Sequence, residues 1–387
     1  MQCQEEHRAL QRTMEQFVTN ELNPYTAEWE KSGPFPAHDI FKKMGDLGLL
    51  GINKPERFGG MGLDYRYALI AAEALGACTN SDVVFAISVQ MCMATSILAR
   101  FGSDELRDAF LKPAIRGESV AALAINESGF SIDITGIQTI AQKEKNHYRI
   151  NGEKAWVANA TQADFFCVMA NTSTDKPLFN KSFLIVPRHS AGVSVGTPIE
   201  QISTHALDTA PVYFNDVCVP IDYRIGAENQ GFPMQMMQFQ EEHLSSAAST
   251  LLGMERCLAL TIEHGRKRNA FGQALIDNQY VHFQIAEMKT EVELLRSLVY
   301  RACDDYMVGK DVMQLAAMAK LKSVRLMRKI SDKCLPFWAA SGLKQPSPIH
   351  QHYRDWRLLA IDGCTDEMML DIICKTMNIL PLQDETI

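Results

Sequence analysis

Two short stretches of the sequence carry residues that could do chemistry. Glu241 and Glu242 are adjacent carboxylates in a segment of helical pattern. A carboxylate that is kept from water can take a proton from a weakly acidic carbon, although a Glu on a helix is usually solvated. Arg266, Lys267 and Arg268 form a basic run. Such runs usually face solvent, but a guanidinium also matches the geometry of a phosphate. Neither stretch alone identifies a function.

The composition indicates a globular protein of two or three domains. The chain has 387 residues, of which 47% are hydrophobic and 22% charged, with a formal net charge of -8. This acidic balance argues against nucleic acid as a partner, because phosphate backbones need clustered cations. Ten cysteines occur without CxxC pairs or His/Cys ligand spacing, which favours reduced thiols in an intracellular compartment and no metal site. We see no membrane span, secretory signal or transit peptide.

The hydrophobic pattern changes character twice along the chain. Residues 4 to about 115 have helical spacing, residues 118 to about 225 contain short apolar runs between Pro, Gly and Asn turns, and long helical segments follow. The sequence therefore predicts an α+β protein. Its expected parts are a helical domain at 1–117, a β-barrel or sandwich domain at 118–231 and a four-helix bundle at 232–387.

Local signals refine this prediction. Ser103 is expected to cap a helix, and Asn151-Gly152 is typical of a two-residue hairpin turn. Strands are predicted in FFCVMA, SFLIVP, GVSVG and APVYFNDVCVP. The four bundle helices are predicted at Glu241–His264, Asn278–Val308, Asp311–Ala340 and Asp366–Met377.

Four stretches, in order along the chain, resemble the acyl-CoA dehydrogenase family. They are GLLGINKPERFGGMGLDY, INGEKAWVANA, RKRNAFGQALIDNQ and YRDWRLLAIDGCTDEMM. The resemblance covers essentially the whole chain and implies the same three-part fold. The motifs are most similar to those of members that act on branched and long-chain acyl-CoAs, such as citronellyl-CoA dehydrogenases.

The resemblance implies α,β-dehydrogenation of an acyl-CoA thioester, in which a carboxylate takes the α-proton and FAD takes a hydride from Cβ. Family members place the base in one of two positions. One corresponds to Gly363, so that position is vacant here. The other lies in the first bundle helix and corresponds to Glu242, which is followed by His243 where the family usually has Arg. We therefore predict Glu242 as the base.

The resemblance also implies the residues around cofactor and substrate. The predicted cofactor contacts are Glu127, Gly129, Trp156, Val157, Ala158, Arg268, Phe271, Gln279, Thr365, Asp366 and Glu367. The predicted substrate contacts are Ile132, Phe232, His243, Gly363 and Cys364. Simpler readings stay open for several of them: Trp156 and Phe271 as core residues, Arg268 as part of a solvated basic patch, and residues 365–367 as a helix N-cap with its acidic first turn.

Several stretches depart from the family pattern around the expected flavin. The loop that resembles TEPGAGSD reads NESGFSID at 126–133, and the hydroxyl residue of the WIT motif is Ala158. GxRxSDT becomes STHALDT at 203–209, and QxxGGxG becomes PFWAASG at 336–342, where Pro336 is expected to kink a helix. Two hypotheses follow: a working FAD-dependent enzyme, or a pseudoenzyme that binds acyl-CoA or acts as a scaffold.

Partners and location come from the resemblance alone. It implies electron-transfer flavoprotein as the next electron acceptor and a homotetramer or homodimer with FAD at a subunit boundary. Arg268 and residues 336–340 are expected to come from different subunits. The family expectation is the mitochondrial matrix, with the cytoplasm as the alternative because no targeting segment is visible.

Overall fold

The structure is a computed structural model in which a β domain lies between two helical domains. It describes residues 5–129, 133–202, 206–270, 272–344, 347–358 and 365–380. The order of helical, sheet and helical parts along the chain agrees with the predicted fold class. One apolar core cluster contains residues from all three parts, and a second fills the β domain.

The N-terminal part consists of short helices. They are α1 (Glu5–Phe17), α2 (Thr26–Ser32), α3 (Ala37–Asp46), α4 (Tyr65–Leu75), α5 (Ser81–Ser88), α6 (Thr95–Phe101), α7 (Asp104–Leu106) and α8 (Lys112–Ile115). The predicted Ser103 cap is confirmed, since its hydroxyl accepts the amide of Leu106 at 3.2 Å. A π-helical segment at Val89–Ala94 joins α5 to α6, and such segments often occur at functional sites.

The middle part is one hydrogen-bonded sheet of eight strands. They are β1 (Ala121–Ala124), β2 (Ile140–Glu144), β3 (His147–Ala158), β4 (Phe165–Asn171), β5 (Lys181–Pro187), β6 (Val193–Val195), β7 (Thr209–Pro220) and β8 (Arg224–Ile225). The strand order is β6-β7-β3-β2-β4-β5-β8, with β1 parallel to β4. β4 and β5 are buried on both faces, which explains their continuous apolar sequences.

The predicted hairpin turn at Asn151-Gly152 is wrong. β3 continues through this dipeptide, and β2 turns into β3 after Glu144. Gly152 instead lies at a register shift against β7 and has φ +146°. A Cβ atom there would come within 2.8 Å of the Thr139 backbone, so the glycine serves a close strand approach.

The C-terminal part is built from long helices. They are α9 (Gly231–Ser249), α10 (Leu251–Lys267), α11 (Gln279–Met307), α12 (Met313–Trp338), α13 (Pro348–Leu358) and α14 (Asp366–Thr376); two-residue strands β9 (Asn269–Ala270) and β10 (Gln273–Ala274) separate α10 from α11. The single first helix predicted at 241–264 is therefore wrong. The chain breaks at Thr250, whose hydroxyl donates to the Ala247 carbonyl at 2.7 Å, a bond that competes with helix continuation.

α9 is the element that connects the three parts. It packs against α4, α6 and the π-helical segment of the N-terminal part, against β5 of the sheet, and against α12 of its own part. Residues on the inner faces of α9 are consequently removed from water by neighbours from different domains.

Candidate active site

Glu242 lies on the buried face of α9. Its side chain is enclosed, with 7% of the residue exposed, and its partners are two amides of the same helix. Gln238 Nε2 donates to Glu242 Oε1 at 2.7 Å, and Gln235 Nε2 lies at 3.3 Å from the same oxygen. Burial raises the pKa of Glu242 to about 7, and these amide hydrogen bonds only partly oppose it. The group can therefore exchange a proton near neutral pH.

The neighbouring Glu241 has a different environment. Its carboxylate accepts a hydrogen bond from the Tyr306 hydroxyl and lies 3.6 Å from Arg100 Nη1. Its side chain is 18% exposed. Two adjacent carboxylates are thus separated electrostatically, one beside a cation and the other desolvated against amides, an arrangement that assigns them different tasks.

A narrow, partly open cavity lies between α5, α9, α10, α12 and α13, with Glu242 in its wall. It is lined by Gly76, Cys78, Ser81, Val84, Phe85, Ser88, Cys92, Met93, Glu242, Ser245, Ser246, Ser249, Thr250, Gly253, Met327, His352 and Trp356. The side chain of Gln238 also donates to the Met93 carbonyl at 2.8 Å, which fixes the π-helical segment against the carboxylate. The Glu242 carboxylate therefore faces this cavity.

The predicted substrate contact of His243 is not supported. His243 stacks on Phe239 with ring centroids 5.0 Å apart, and it is not among the described residues that line the cavity. Burial and the nearby Lys320 lower the pKa of His243 to about 3, so it stays neutral and cannot supply the charge of the usual Arg. Phe232 is half-buried in the first turn of α9. The predicted contacts Ile132, Gly363 and Cys364 lie outside the described residues.

Glu127, a predicted cofactor contact, has a structural role in the loop that contains Gly129. Its carboxylate is buried and accepts from Lys154 Nζ at 2.7 Å, from Thr139 Oγ1 at 2.6 Å and from the amides of Gln138 and Thr139. These bonds saturate both oxygens, so the side chain anchors the loop at 126–129. Gly129 has φ +84° with open space around it, as expected of a turn.

Trp156 lies at a bulge of β3 and presents its ring outward. It has φ +55°, is 52% exposed and falls within the register shift between Lys154 and Val157. Val157 and Ala158 are buried behind it. Three buried oxygens at this end of the sheet have no hydrogen-bond partner among the described residues: Asn159 Oδ1, Asp208 Oδ1 and Thr209 Oγ1. This end of β3 and β7 therefore has unused hydrogen-bonding capacity near an exposed indole.

Arg268 ends α10 and reaches the end of α12. Its Nη1 donates to the Phe337 carbonyl at 2.7 Å, so Arg268 and the 336–340 stretch are adjacent within one chain. The expectation that they approach one cofactor from different subunits is therefore wrong. Gln279 begins α11 and is exposed, next to the exposed rings of Tyr280 and Phe283. Phe271 lies outside the described residues.

The 336–340 stretch contains a proline in the last turn of α12 and a strained alanine. Pro336 does not interrupt α12, because it lies in the last turn and the helix ends at Trp338. Ala339 adopts φ +47° and ψ -139°, a conformation that favours glycine. The backbone shape that a glycine would adopt easily is thus kept by an alanine under strain.

The simpler interpretation of residues 365–367 is supported. Thr365 caps α14 by accepting the Met368 amide at 3.4 Å. Asp366 pairs with Arg328 at 2.6 Å and Arg325 at 2.9 Å, which holds α14 against α12, and Glu367 is exposed. Asp366 therefore holds α14 against α12, and the cofactor contact of residues 365–367 stays a prediction.

The sequence interpretation missed the residues that hold the predicted base. Gln238 and Gln235 precede Glu242 by four and seven positions and so share its helical face, a spacing that could have revealed them. Cys92 and Met93 belong to the π-helical segment and come from a distant part of the chain, which no local signal indicates.

The described ranges also bear on metal binding and on membrane insertion. They contain no group of three His, Cys, Asp or Glu side chains that could hold a metal ion. The helical run Ser81–Phe101 is long and apolar enough to cross a membrane by length and composition, but 72% of its apolar window is buried inside the protein. That burial is what a core helix lining the cavity requires.

Comparison with known proteins agrees with this architecture. Models of the N-terminal, middle and C-terminal domains of acyl-CoA dehydrogenase match residues 4–118, 122–217 and 229–378. The mitochondrial short-chain specific acyl-CoA dehydrogenase of Homo sapiens is 31% identical over 95% of this chain and 89% of its own length. The crystal structure of an acyl-CoA dehydrogenase from Geobacillus kaustophilus has a TM-score of 0.93 at 31% identity, over 97% of this chain and 98% of that one. An FAD complex of PigA has a TM-score of 0.94 at 25% identity, over 98% and 99%. The chain therefore belongs to the acyl-CoA dehydrogenase family.

Proposed function

We propose that this protein is an FAD-dependent acyl-CoA dehydrogenase in which Glu242 removes the α-proton of an acyl-CoA thioester. The observation that carries the proposal is the buried Glu242 carboxylate, with a pKa of about 7, in the wall of a narrow cavity. A desolvated carboxylate of that pKa is strong enough to take a weakly acidic proton and is still substantially ionised at neutral pH. Gln238 and Gln235 orient it without neutralising it.

The residues present fit FAD. Arg268 leaves guanidinium N–H groups beyond its bond to Phe337 for a diphosphate, and the exposed ring of Trp156 can flank a planar ring system. The unpartnered Thr209 hydroxyl lies opposite Ala158 in the β3–β7 register, so it offers a hydroxyl where the 158 side chain has none. Bound FAD supplies the acceptor for the hydride that leaves Cβ.

The finer assignments rest on resemblance. The sequence motifs favour a branched or long-chain acyl-CoA as the substrate, whereas the human relative described above is named short-chain specific. We propose electron-transfer flavoprotein as the electron acceptor and a homotetramer or homodimer as the assembly. The exposed rings of Tyr280 and Phe283 on α11 suit contact with a second copy. The mitochondrial matrix is the proposed location, with the cytoplasm as the alternative.

The visible spectrum of the purified protein tests the cofactor. We expect the yellow absorption of bound flavin at about one flavin per chain, or its appearance after incubation of apoprotein with FAD. Addition of an acyl-CoA without oxygen should then bleach the band. A protein that stays colourless with added FAD would contradict the proposal and favour the acyl-CoA-binding or scaffold role.

Replacing Arg268 by alanine should weaken FAD binding by about 10- to 100-fold, the loss expected for charge-assisted hydrogen bonds worth about 1.5–3 kcal/mol. Titration of apoprotein with FAD, followed by quenching of flavin fluorescence, measures this directly. Arg266→Ala is the matched control, because Arg266 is exposed two residues away and has the same charge. Equal affinities of the two variants would show that Arg268 does not contact the cofactor.

A further inference from the structure

The cavity extends far beyond the reacting carbon. At one end, Gln238 bonds the Met93 carbonyl beside Glu242. At the other, the amide of Ser81 lies 3.5 Å from Asp355 Oδ2 on α13. Cys92 and Ser81 line the cavity eleven residues apart on one continuous helical run, so its ends are separated by roughly 16 Å at 1.5 Å per residue. An acyl chain that starts at Glu242 would therefore place its distal part at the far end.

Three of the wall hydroxyls between the two ends already donate to helix carbonyls, and the Ser246 hydroxyl accepts from Lys320 at 2.8 Å. Ser88 donates to the Val84 carbonyl at 2.8 Å, and Ser249 and Thr250 donate to carbonyls of their own helix at 2.9 Å and 2.7 Å. These groups behave as part of the helix surface, and Val84, Phe85 and Met327 add apolar surface. The middle of the cavity thus suits methylene groups.

The far end differs because its polar groups lack partners. His352 is 5% exposed and packs on Trp356 with ring centroids 4.8 Å apart. Within the described part of the chain, neither the His352 ring nitrogens nor the Ser81 hydroxyl takes part in a hydrogen bond. Burial lowers the pKa of His352 to about 3, with Arg256 adding to the effect, so the ring is neutral and offers one donor and one acceptor. A buried group of this kind is costly unless something binds to it.

The charges of the lining side chains limit which acyl groups can bind at the far end. Glu242 is the only ionisable carboxyl among the described lining residues, no Lys or Arg is among them, and Glu242 lies at the opposite end. Arg256, which bonds the Ala77 carbonyl at 3.4 Å, and Asp355 lie near the far end but are not among the described lining residues, so an ionised terminus would lose its hydration without direct contact with a counter-ion. An uncharged group that both donates and accepts would satisfy a neutral imidazole and a hydroxyl together.

We propose that the far end of the cavity selects acyl groups that carry an uncharged hydrogen-bonding substituent, such as a hydroxyl or an amide, near the ω end, and that His352 and Ser81 bind it. This inference rests on the proposed function, since it names the substrate class of that same cavity. The substituent is held by hydrogen bonds to the imidazole and the Ser81 hydroxyl, and the methylene chain lies between the helices.

Rates of anaerobic flavin reduction test the selection. ω-Hydroxyacyl-CoAs and unsubstituted acyl-CoAs of matched, stepwise increasing length are compared with the native protein and with His352→Phe, which keeps a ring of similar shape. At the length that spans the cavity, the native protein should prefer the hydroxylated thioester by about tenfold or more, because a site with buried polar groups rejects an analogue that leaves them unpaired. His352→Phe should reverse the preference.

Two further variants distinguish the loss of a specific polar contact from a general disturbance of the fold. Ser81→Ala should reduce the preference, and Ser88→Ala should leave it unchanged, because the Ser88 hydroxyl donates to its own helix. Equal or faster reduction by the unsubstituted thioester at every length, or a preference that survives both His352→Phe and Ser81→Ala, would overturn the inference. If no acyl-CoA reduces the flavin, the proposed function fails. Calorimetry then measures whether the protein still binds the hydroxylated thioester more tightly than the unsubstituted one, and equal affinities overturn the proposed selection.

Discussion

Replacing Glu242 by glutamine is expected to keep the flavin bound and to slow its reduction by acyl-CoA by roughly 10²- to 10⁴-fold, the usual contribution of a positioned general base. The amide has nearly the shape of the carboxylate and can keep contact with Gln238, but it cannot take the α-proton. Stopped-flow absorbance of the flavin band under anaerobic conditions measures the first turnover without interference from the electron acceptor.

Glu241→Gln is the control for this experiment. Glu241 is adjacent in sequence, but it faces Tyr306 and Arg100 rather than the cavity that contains Glu242. Flavin reduction in Glu241→Gln should stay within a few-fold of the native rate, as expected for a removed surface ion pair. Unchanged reduction in Glu242→Gln would place the base elsewhere, and an equal loss in both variants would indicate a general disturbance of α9.

The same residue predicts the pH dependence of the reaction. Only the ionised carboxylate is a base, and burial raises its pKa to about 7. The rate of flavin reduction should therefore rise as the pH increases through about 7 and level off above it. A rate that is already maximal well below pH 7 would show that the carboxylate is less desolvated than its environment indicates.

The raised pKa also affects stability, and its sign is defined. A carboxyl whose pKa is higher in the folded state binds its proton more tightly there, so its contribution is fully present below its ordinary pKa and is lost as the pH rises through about 7. The change from 4.5 to about 7 corresponds to on the order of 3 kcal/mol. Glu242→Gln apoprotein should therefore exceed the native apoprotein in free energy of unfolding by up to that amount above pH 7, and the difference should vanish in acid.

The fold could be predicted because its signals are local. β4 and β5 are continuous apolar runs between turn residues, and Ser103 precedes an acidic helix start. The hairpin prediction at Asn151-Gly152 is wrong because glycine is favoured both in hairpin turns and at strand bulges. Which of the two forms here depends on the close approach of Thr139 to Gly152. Local sequence identifies a residue with unusual backbone freedom, whereas its use depends on tertiary packing.

For the candidate site, the sequence indicates single residues through the resemblance but not the partners that surround them. The family resemblance predicts Glu242 as the base from the vacant position at Gly363, but the raised pKa comes from burial between helices of the N-terminal and C-terminal parts, which no sequence window contains. Asp366 shows the opposite case: it lies beside a predicted cofactor contact, yet Arg325 and Arg328 hold it in the bundle. Sequence could not reveal such partners, because they depend on which helices meet.

The Glu127–Lys154 pair gives the second large expected effect. Lys154 has a fully buried side chain and donates to Glu127 at 2.7 Å and to the Ile125 carbonyl at 2.9 Å. Burial lowers the pKa of Lys154 to about 8, and the charge of Glu127 opposes this change. Lys154→Met should reduce the free energy of unfolding by about 3–5 kcal/mol, because the buried Glu127 charge loses its counter-ion. Urea unfolding of the apoprotein measures the loss.

The double variant Lys154→Met, Glu127→Gln separates the lost ion pair from the lost packing. It should recover a substantial part of the stability, because the uncompensated charge is gone while the amide oxygen can still accept from the Thr139 hydroxyl and backbone. A loss below about 1 kcal/mol in Lys154→Met, or no recovery in the double variant, would mean that the pair is not a buried charge pair. If Glu127 anchors the loop and does not touch the cofactor, FAD affinity should recover together with stability. If Glu127 binds FAD directly, affinity should stay low in the double variant when stability returns.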